Sequence, residues 1–144
     1  MNKKKNKKKK GFTLIELVIV LAVLAIIALI AIPNFTKVRN DSLKKADIQS
    51  AEQIKKITLM AIANEDVKAN QATYKLENST ITELPSDKQN IKDSASFNSM
   101  VKDVKTPQVN GKKGYCIYVD SQGNVDVYYL NADGTDKEGD KLTK

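Results

Sequence analysis

The residues best suited to chemistry lie close together at the amino-terminal end of this 144-residue chain. Seven lysines occupy the first ten positions, Gly11 follows, and a single carboxylate, Glu16, interrupts the apolar run that begins at Phe12. Placing an ionised carboxylate in hydrocarbon costs about 2.5–3.5 kcal/mol, so an acid in such a run normally has a function and a partner. Glu16 is therefore the first candidate for a functional residue.

The element that must position Glu16 is a long apolar helix. Residues 12–32 span roughly 31 Å at about 1.5 Å per residue, which is close to the thickness of a bilayer core. Residues 17–32 contain no polar side chain, and the lysines before them favour a cytoplasmic amino terminus. A secretory signal would have a shorter apolar core and an A-x-A-like cleavage site, whereas the alanines here recur every three residues. The sequence thus predicts a single-pass helix whose alanine stripe packs closely against other helices.

The segment from Lys7 to about Asn34 resembles the class III signal of type IV prepilins and of the related pseudopilins. The resemblance rests on the run Gly-Phe-Thr-Leu-Ile-Glu directly before the long apolar stretch. It implies that a membrane-embedded prepilin peptidase cuts on the cytoplasmic side, between Gly11 and Phe12. The same enzyme would then methylate the new amine of Phe12.

Two further residues acquire roles from this resemblance. Cleavage frees an ammonium at Phe12, and Glu16 of one subunit is expected to pair with the Phe12 amine of a neighbour, which fixes the register of a helical filament. The alternative is that Glu16 only reaches the cytoplasmic headgroups. Pro33 removes one backbone donor and is expected to kink the helix where it leaves the bilayer.

The resemblance also implies a division of the chain and a set of partners. Residues 1–11 form a cytoplasmic leader, residues 12–33 the transmembrane and filament-core helix, and residues 34–144 an extracellular head. The expected partners are other copies of the subunit, the prepilin peptidase, an assembly ATPase and a platform protein. The cytoplasmic membrane holds the precursor, and the finished protein is expected in a pilus at the cell surface. No cofactor is expected.

The composition limits the alternatives. The lysines of residues 1–11 account for the net charge of +7, so residues 12–144 are neutral and give no general basis for binding nucleic acid. Histidine is absent, which removes the usual general base and the commonest metal ligand. The single cysteine, Cys116, cannot form an internal disulfide, unlike the cysteines of many Gram-negative pilins, and its apolar surroundings predict a buried, inert thiol. We therefore expect a non-enzymatic protein of Gram-positive type, without catalytic or metal-binding residues.

Beyond the membrane segment the pattern predicts an α+β fold. Apolar residues at helical spacing extend the long helix from Thr13 to about Asn64, and no glycine interrupts it. Two β-favouring stretches, Thr73–Leu76 and Thr80–Leu84, follow. Ser86 is expected to cap a short helix. The apolar contacts of that helix are expected to be Ile91, Phe97, Met100, Val101 and Val104.

The clearest β-hairpin joins Tyr115–Val119 to Val125–Leu130. Because side chains alternate between the two faces of a strand, one face of the hairpin is expected to pack on the amphipathic half of the long helix. The hairpin residues on that face are Tyr115, Ile117, Val119, Val125, Val127 and Tyr129. The helix residues are Leu43, Ala46, Ala51, Ile54, Ile57, Ala61 and Ile62. Residues 131–144 are polar and contain glycines, as expected for a tail or an edge loop.

Two weaker motifs favour ordinary surface roles. The acidic residues between Asn131 and Asp140 could bind calcium, but their spacing does not match an EF-hand loop, and a solvated turn is the better interpretation. Lys112 and Lys113 beside Tyr115 could contact DNA phosphates, although lysines next to a turn are more often only solvent-exposed.

The sequence thus predicts a structural subunit of a type IV pilus, polymerised through its amino-terminal helix. A pseudopilin of a type II secretion-like or competence system is the nearer alternative, and Pro33 favours a pilin over it. An uncleaved, single-pass membrane-anchored binding protein is the more distant alternative.

Overall fold

The computed structural model describes residues 10–84 and 90–144 and has an α+β fold, as predicted. These residues separate into two units, one ending at Arg39 and the other beginning at Asn40. The elements in chain order are α1 (Leu14–Ala63), β1 (Ala72–Glu77), β2 (Thr80–Leu84), α2 (Ser94–Val101), β3 (Gly114–Val119), β4 (Val125–Leu130) and β5 (Lys137–Glu138).

Helix α1 runs from Leu14 to Ala63 without interruption, within a residue of the predicted limits at both ends. The apolar periodicity of the sequence and the absence of glycine explain its length. Pro33 lies inside the helix, and its carbonyl accepts a hydrogen bond from the Thr36 hydroxyl at 2.9 Å. The kink expected at Pro33 stays a prediction.

The five strands form one antiparallel sheet in the order β2-β1-β3-β4-β5, and the predicted hairpin is its pair β3–β4. Alternate residues of the hairpin enter a single core, which confirms the predicted buried face. Cross-strand pairs of aromatic and β-branched residues pack well on a pleated surface. The buried pairs are Tyr115 with Tyr129, Ile117 with Val127, and Val119 with Val125.

A two-residue turn at Asn78 and Ser79 joins β1 to β2. Both residues have positive φ, 50° and 60° respectively. This left-handed conformation matches the right-handed twist of the flanking strands, and asparagine tolerates it better than most residues. The two predicted β-favouring stretches are therefore confirmed as the strands of this second hairpin.

Within the unit that begins at Asn40, one face of α1 belongs to the same core as the sheet. Ala51, Ile54 and Ala61 are fully buried, as predicted, whereas Leu43 and Ala46 are only partly buried. An apolar pattern does not predict the polar residues that share the buried face of the helix. These residues are Asp47, Ser50 and Thr58.

Asp47 is fully buried, and its carboxylate connects three parts of this unit. One oxygen accepts the Gln108 backbone N–H at 2.6 Å, and the other accepts the Val109 backbone N–H at 3.1 Å. The second oxygen also accepts the Tyr129 hydroxyl at 2.9 Å. Hydrogen bonds to an ionised group are roughly twice as strong as neutral ones, so Asp47 holds α1 to the loop before β3 and to β4.

The cap of α2 differs from the prediction. Ser86, the expected cap, lies in residues 85–89, outside the described residues. The described helix begins at Ser94, and the Asp93 carboxylate accepts the Ser96 backbone N–H at 2.9 Å. Aspartate is among the most favourable capping residues, and here it lies directly before the first helical turn. The expected apolar contacts are confirmed, since Phe97, Val101 and Val104 are buried and Ile91 and Met100 pack beside them.

Residues 131–144 follow the edge of the sheet, so the expectation of a tail is wrong and that of an edge loop is correct. β5 pairs with the end of β4, and Leu142 donates its backbone N–H to the Val127 carbonyl at 2.8 Å. Thr143 accepts the Val127 N–H through its hydroxyl at 3.2 Å. The polar composition of residues 131–144 did not predict this contact. Leu142 is the one large apolar residue among them, and Thr143 is buried through its hydrogen bond.

Cys116 is a free, fully buried thiol on β3, as predicted. Burial first, and the nearby Asp136 carboxylate second, raise the pKa of this thiol to about 11. A protonated thiol in apolar surroundings is a poor nucleophile, so the sequence-based prediction of an inert cysteine agrees with its environment.

Replacing Asp47 with alanine should destabilise the unit that begins at Asn40 by about 3 kcal/mol, because two backbone N–H groups and one hydroxyl lose a buried acceptor. Urea unfolding of the full chain in detergent measures the change. Asp41→Ala is the control, since Asp41 is exposed on the same helix and should change stability by less than about 0.5 kcal/mol. Equal losses in the two variants would contradict the role given to Asp47.

The Cys116 thiol should make folding stability depend on pH above 9. Its pKa is higher in the folded chain than the ordinary value of 9.0, so its contribution to stability is complete below about pH 9 and is lost as the pH rises towards 11. Between pH 8 and 10.5 the wild type should lose about 2 kcal/mol more stability than Cys116→Ala. Parallel curves of stability against pH for the two proteins would contradict this prediction, because they would mean that the thiol has the same pKa in the folded and unfolded chains.

Candidate functional site at the start of the long helix

The unit that ends at Arg39 exposes the apolar side chains of α1. From Leu14 to Ile32 every large apolar side chain keeps between 49 and 81% of its surface accessible. A contiguous apolar surface of this extent marks contact with a membrane or with another protein. Within residues 10–84 and 90–144, α1 is the one helix long and apolar enough to cross a bilayer.

Glu16 closes the amino-terminal end of this helix together with Thr13. The Glu16 carboxylate accepts the Thr13 backbone N–H at 2.8 Å, and the Thr13 hydroxyl accepts the Glu16 backbone N–H at 3.3 Å. The Thr13 carbonyl accepts the first helical hydrogen bond, from the Leu17 N–H. This reciprocal arrangement is a capping box, which satisfies two N–H groups that a helix start leaves without partners.

Gly11 lies in non-helical, exposed backbone three residues before α1 begins. A β-carbon built on Gly11 would meet no atom of the described residues within 4 Å, and the residue does not adopt a left-handed conformation. The structure of the described chain therefore gives no reason for a glycine at this position.

Phe12 follows in the same non-helical stretch and is 95% exposed. Together with Glu16 it borders a shallow groove of about 480 Å³ on the first turns of the helix. The other residues of the groove, Leu17, Ile19 and Val20, are apolar. A groove with apolar walls and a single carboxylate suits a positively charged group carried by an apolar residue.

Three of the four predicted site residues, Gly11, Phe12 and Glu16, thus lie at the start of α1, and Pro33 lies further along the same helix. Sequence reasoning missed Thr13. The spacing Thr-x-x-Glu directly before an apolar run is a signature of a capping box and would have identified it.

The two weaker motifs have local explanations in the structure. The side-chain oxygen of Asn131 accepts the backbone N–H groups of Thr135 and Asp136, so it closes its own turn. Among the described residues, no three or more carboxylate, thiol or imidazole groups cluster as metal ligands would. Lys112 contacts Glu138 at 2.5 Å and lies 5.3 Å from the centre of the Tyr129 ring, so its charge is already engaged.

The arrangement at the start of α1 can support two kinds of event. The peptide groups around Gly11 lie outside the helix, so their N–H and C=O groups are available to an enzyme, unlike those inside α1. The Glu16 carboxylate at the helix start can also bind a cation.

Comparison with known proteins locates a family motif at this site. Residues 6–32 match the prokaryotic N-terminal methylation motif, and this range contains Gly11, Phe12 and Glu16. No solved structure matches the chain.

One curated relative extends the likeness beyond the motif. The chain is 31% identical over 78 residues to prepilin peptidase-dependent protein A of Clostridium perfringens. The aligned region is 54% of this chain and spans 56% of the relative's length, a little over half of each. Clostridium is Gram-positive, in line with the expectation drawn from the unpaired cysteine. The chain therefore carries the prokaryotic N-terminal methylation motif, which is the signal of type IV prepilins.

Proposed function

We propose that this chain is the precursor of a type IV pilus subunit, processed after Gly11 and polymerised through α1. The observation that carries the proposal is the methylation motif at residues 6–32, which coincides with the exposed start of an apolar helix. In this proposal residues 1–11 are the leader, residues 12–33 the transmembrane and filament-core segment, and residues 34–144 the head. The role is structural and needs no catalytic group in the chain.

The lysines of the leader hold the amino terminus in the cytoplasm, where the prepilin peptidase cuts. The surroundings of Gly11 support this assignment, because a glycine that no contact with residues 10–84 or 90–144 requires is best explained by the binding groove of an enzyme. The relative's name, which states dependence on prepilin peptidase, agrees with such a partner. After the cut, Phe12 carries the new amine and receives the methyl group.

Assembly must replace the lipid around α1 with other apolar surface, and further copies of the same helix supply it. The ammonium of Phe12 and the carboxylate of Glu16 are each costly to leave unpaired in that environment. A salt bridge between the two groups of neighbouring subunits removes both of these energetic costs when the helices are in the correct register. When one helix is shifted along the other, the groups do not meet and both costs remain. Glu16 therefore acts on register more than on overall affinity. An assembly ATPase and a platform protein would drive the extraction.

A pseudopilin of a secretion or competence system would share the same leader and the same processing. Pro33 within α1 favours the pilus subunit. Deleting the gene and imaging the cell surface separates the two, because loss of long fibres is expected only for a pilus subunit.

Amino-terminal mass spectrometry of filaments sheared from the cell surface should show a chain that begins with methylated Phe12. The reason is that the cut removes residues 1–11 and exposes the amine to the same enzyme. Recovery of surface protein that retains Met1 or Lys3 would instead support the uncleaved membrane-anchored protein.

Gly11→Leu should leave the precursor uncut in the membrane, because a bulky side chain displaces the cut bond within the peptidase. Misplacement of a reacting group by about 1 Å costs on the order of 100-fold in rate, so the processed fraction should fall below detection in an immunoblot. Lys10→Ala is the control and should be processed normally. Normal filaments from Gly11→Leu would refute the assigned cleavage site.

A further inference from the structure

We propose that the turn at Asn110 and Gly111 undergoes a spontaneous covalent change, in which the Asn110 amide becomes aspartate or isoaspartate and the contact of this loop with α1 weakens. These residues are the one Asn-Gly pair of the sequence. They lie in the loop between α2 and β3, in the unit that begins at Asn40. The inference does not depend on a cut after Gly11.

Asn110 and Gly111 are the two central residues of a β-turn. The turn is closed by a hydrogen bond of 3.2 Å from the Lys112 backbone N–H to the Val109 carbonyl. Gly111 has a φ of 83°, which is the conformation that a type II turn requires of its third residue and that favours glycine. Both central residues are exposed, and a β-carbon built on Gly111 would meet no atom of the described residues within 4 Å. Water therefore reaches the turn freely.

The two groups that would react are both unengaged. Neither the side-chain amide of Asn110 nor the backbone N–H of Gly111 has a hydrogen-bond partner within residues 10–84 and 90–144. The Asn110 side chain can therefore rotate towards the main chain. Four other asparagine side chains are held by hydrogen bonds, namely those of Asn90, Asn98, Asn124 and Asn131.

The reaction needs only the turn and water. The Gly111 nitrogen loses its proton to solvent and bonds to the side-chain carbonyl carbon of Asn110, and the amide nitrogen takes up a proton and leaves as ammonia. Water then opens the resulting succinimide ring at one of its two carbonyl carbons. Breaking the new bond gives aspartate, whereas breaking the original peptide bond gives isoaspartate, whose main chain runs through the side-chain carboxyl. In sum, an amide and water become a carboxylate and ammonium.

The position of the turn explains why this change would affect the fold. Directly before the turn, the Gln108 and Val109 backbone N–H groups donate to the buried Asp47 carboxylate of α1. Directly after it, the Lys112 side chain contacts Glu138. Isoaspartate lengthens the main chain between these two anchored points by one carbon atom. The bond that closes the turn then loses its geometry, and the hydrogen bonds to Asp47 are strained next.

The test follows the reaction in the full-length chain in detergent, incubated in mildly alkaline or mildly acidic buffer. Tryptic peptides are then analysed by mass spectrometry. Residues 106–112 form a peptide in which Asn110 is the only asparagine, and residues 76–88 form one in which Asn78 is the only asparagine. Asn78 is the internal comparison, because it is also exposed in a turn but precedes Ser79, whose β-carbon hinders the approach of the nitrogen.

We expect Asn110 to convert on the order of tenfold faster than Asn78, because a β-carbon adds a conformational cost that glycine does not have. Conversion should be faster in the alkaline buffer, since the reacting nitrogen must lose its proton. Isoaspartate should form together with aspartate, and the two peptides separate by chromatography.

Urea unfolding before and after incubation measures the effect on the fold. Weakened hydrogen bonds to Asp47 should raise the unfolding equilibrium constant of the converted chain about fivefold. Asn110→Gln is the matched control, because its ring would be one atom larger and closes far more slowly. This variant should keep the same stability after incubation. Protection of the buried Cys116 thiol from alkylation verifies that it folds.

The outcomes divide clearly. Fast conversion of Asn110 with a loss of stability that Asn110→Gln does not share supports the inference. An Asn110 amide that converts no faster than that of Asn78 overturns it. Full conversion with unchanged stability overturns the weakening of the contact with α1, as does an equal loss in incubated Asn110→Gln.

Discussion

The apolar half of α1 sets the constraint on which the rest of the structure depends. Its large side chains from Leu14 to Ile32 are about half exposed or more, and none of the described residues of their unit, 10–39, buries them. At about 25 cal/mol per Å² of apolar surface removed from water, such a helix is strongly driven into lipid or against other helices. This part of the chain is therefore built for surroundings that other molecules supply.

That second unit achieves its stability through packing and through a small number of buried polar contacts. Cys116 is unpaired and buried, so no disulfide contributes. Asp47 instead joins α1 to the loop before β3 and to Tyr129 on β4. At the edge of the sheet, Leu142 and Thr143 close the exposed side of β4 through Val127. These contacts link segments that are far apart in sequence, as a disulfide does in many small secreted domains.

Glu16 illustrates how a charged residue can be accommodated within an apolar segment. Its backbone and carboxylate form a reciprocal cap with Thr13, so part of its hydrogen-bonding capacity is satisfied within its own helix start. The sequence drew attention to Glu16 because its charge is out of place, and charge is easily read from residue type. It did not draw attention to Thr13, whose hydroxyl becomes informative only when its spacing from Glu16 is read as a capping box.

The sequence by itself determined the elements with regular patterns: the limits of α1, the four longer strands and the buried face of the β3–β4 hairpin. These follow from local spacing, because helices and strands repeat their apolar residues with fixed periods. The tertiary structure alone decided that Asp47 is buried, since its partner Tyr129 lies 82 residues away along the chain. It also decided that Leu142 and Thr143 dock beside Val127 and that Asp93 caps α2. The physical reason is that a polar side chain can be buried wherever distant groups supply its hydrogen bonds, and no local pattern records which groups the fold will bring near.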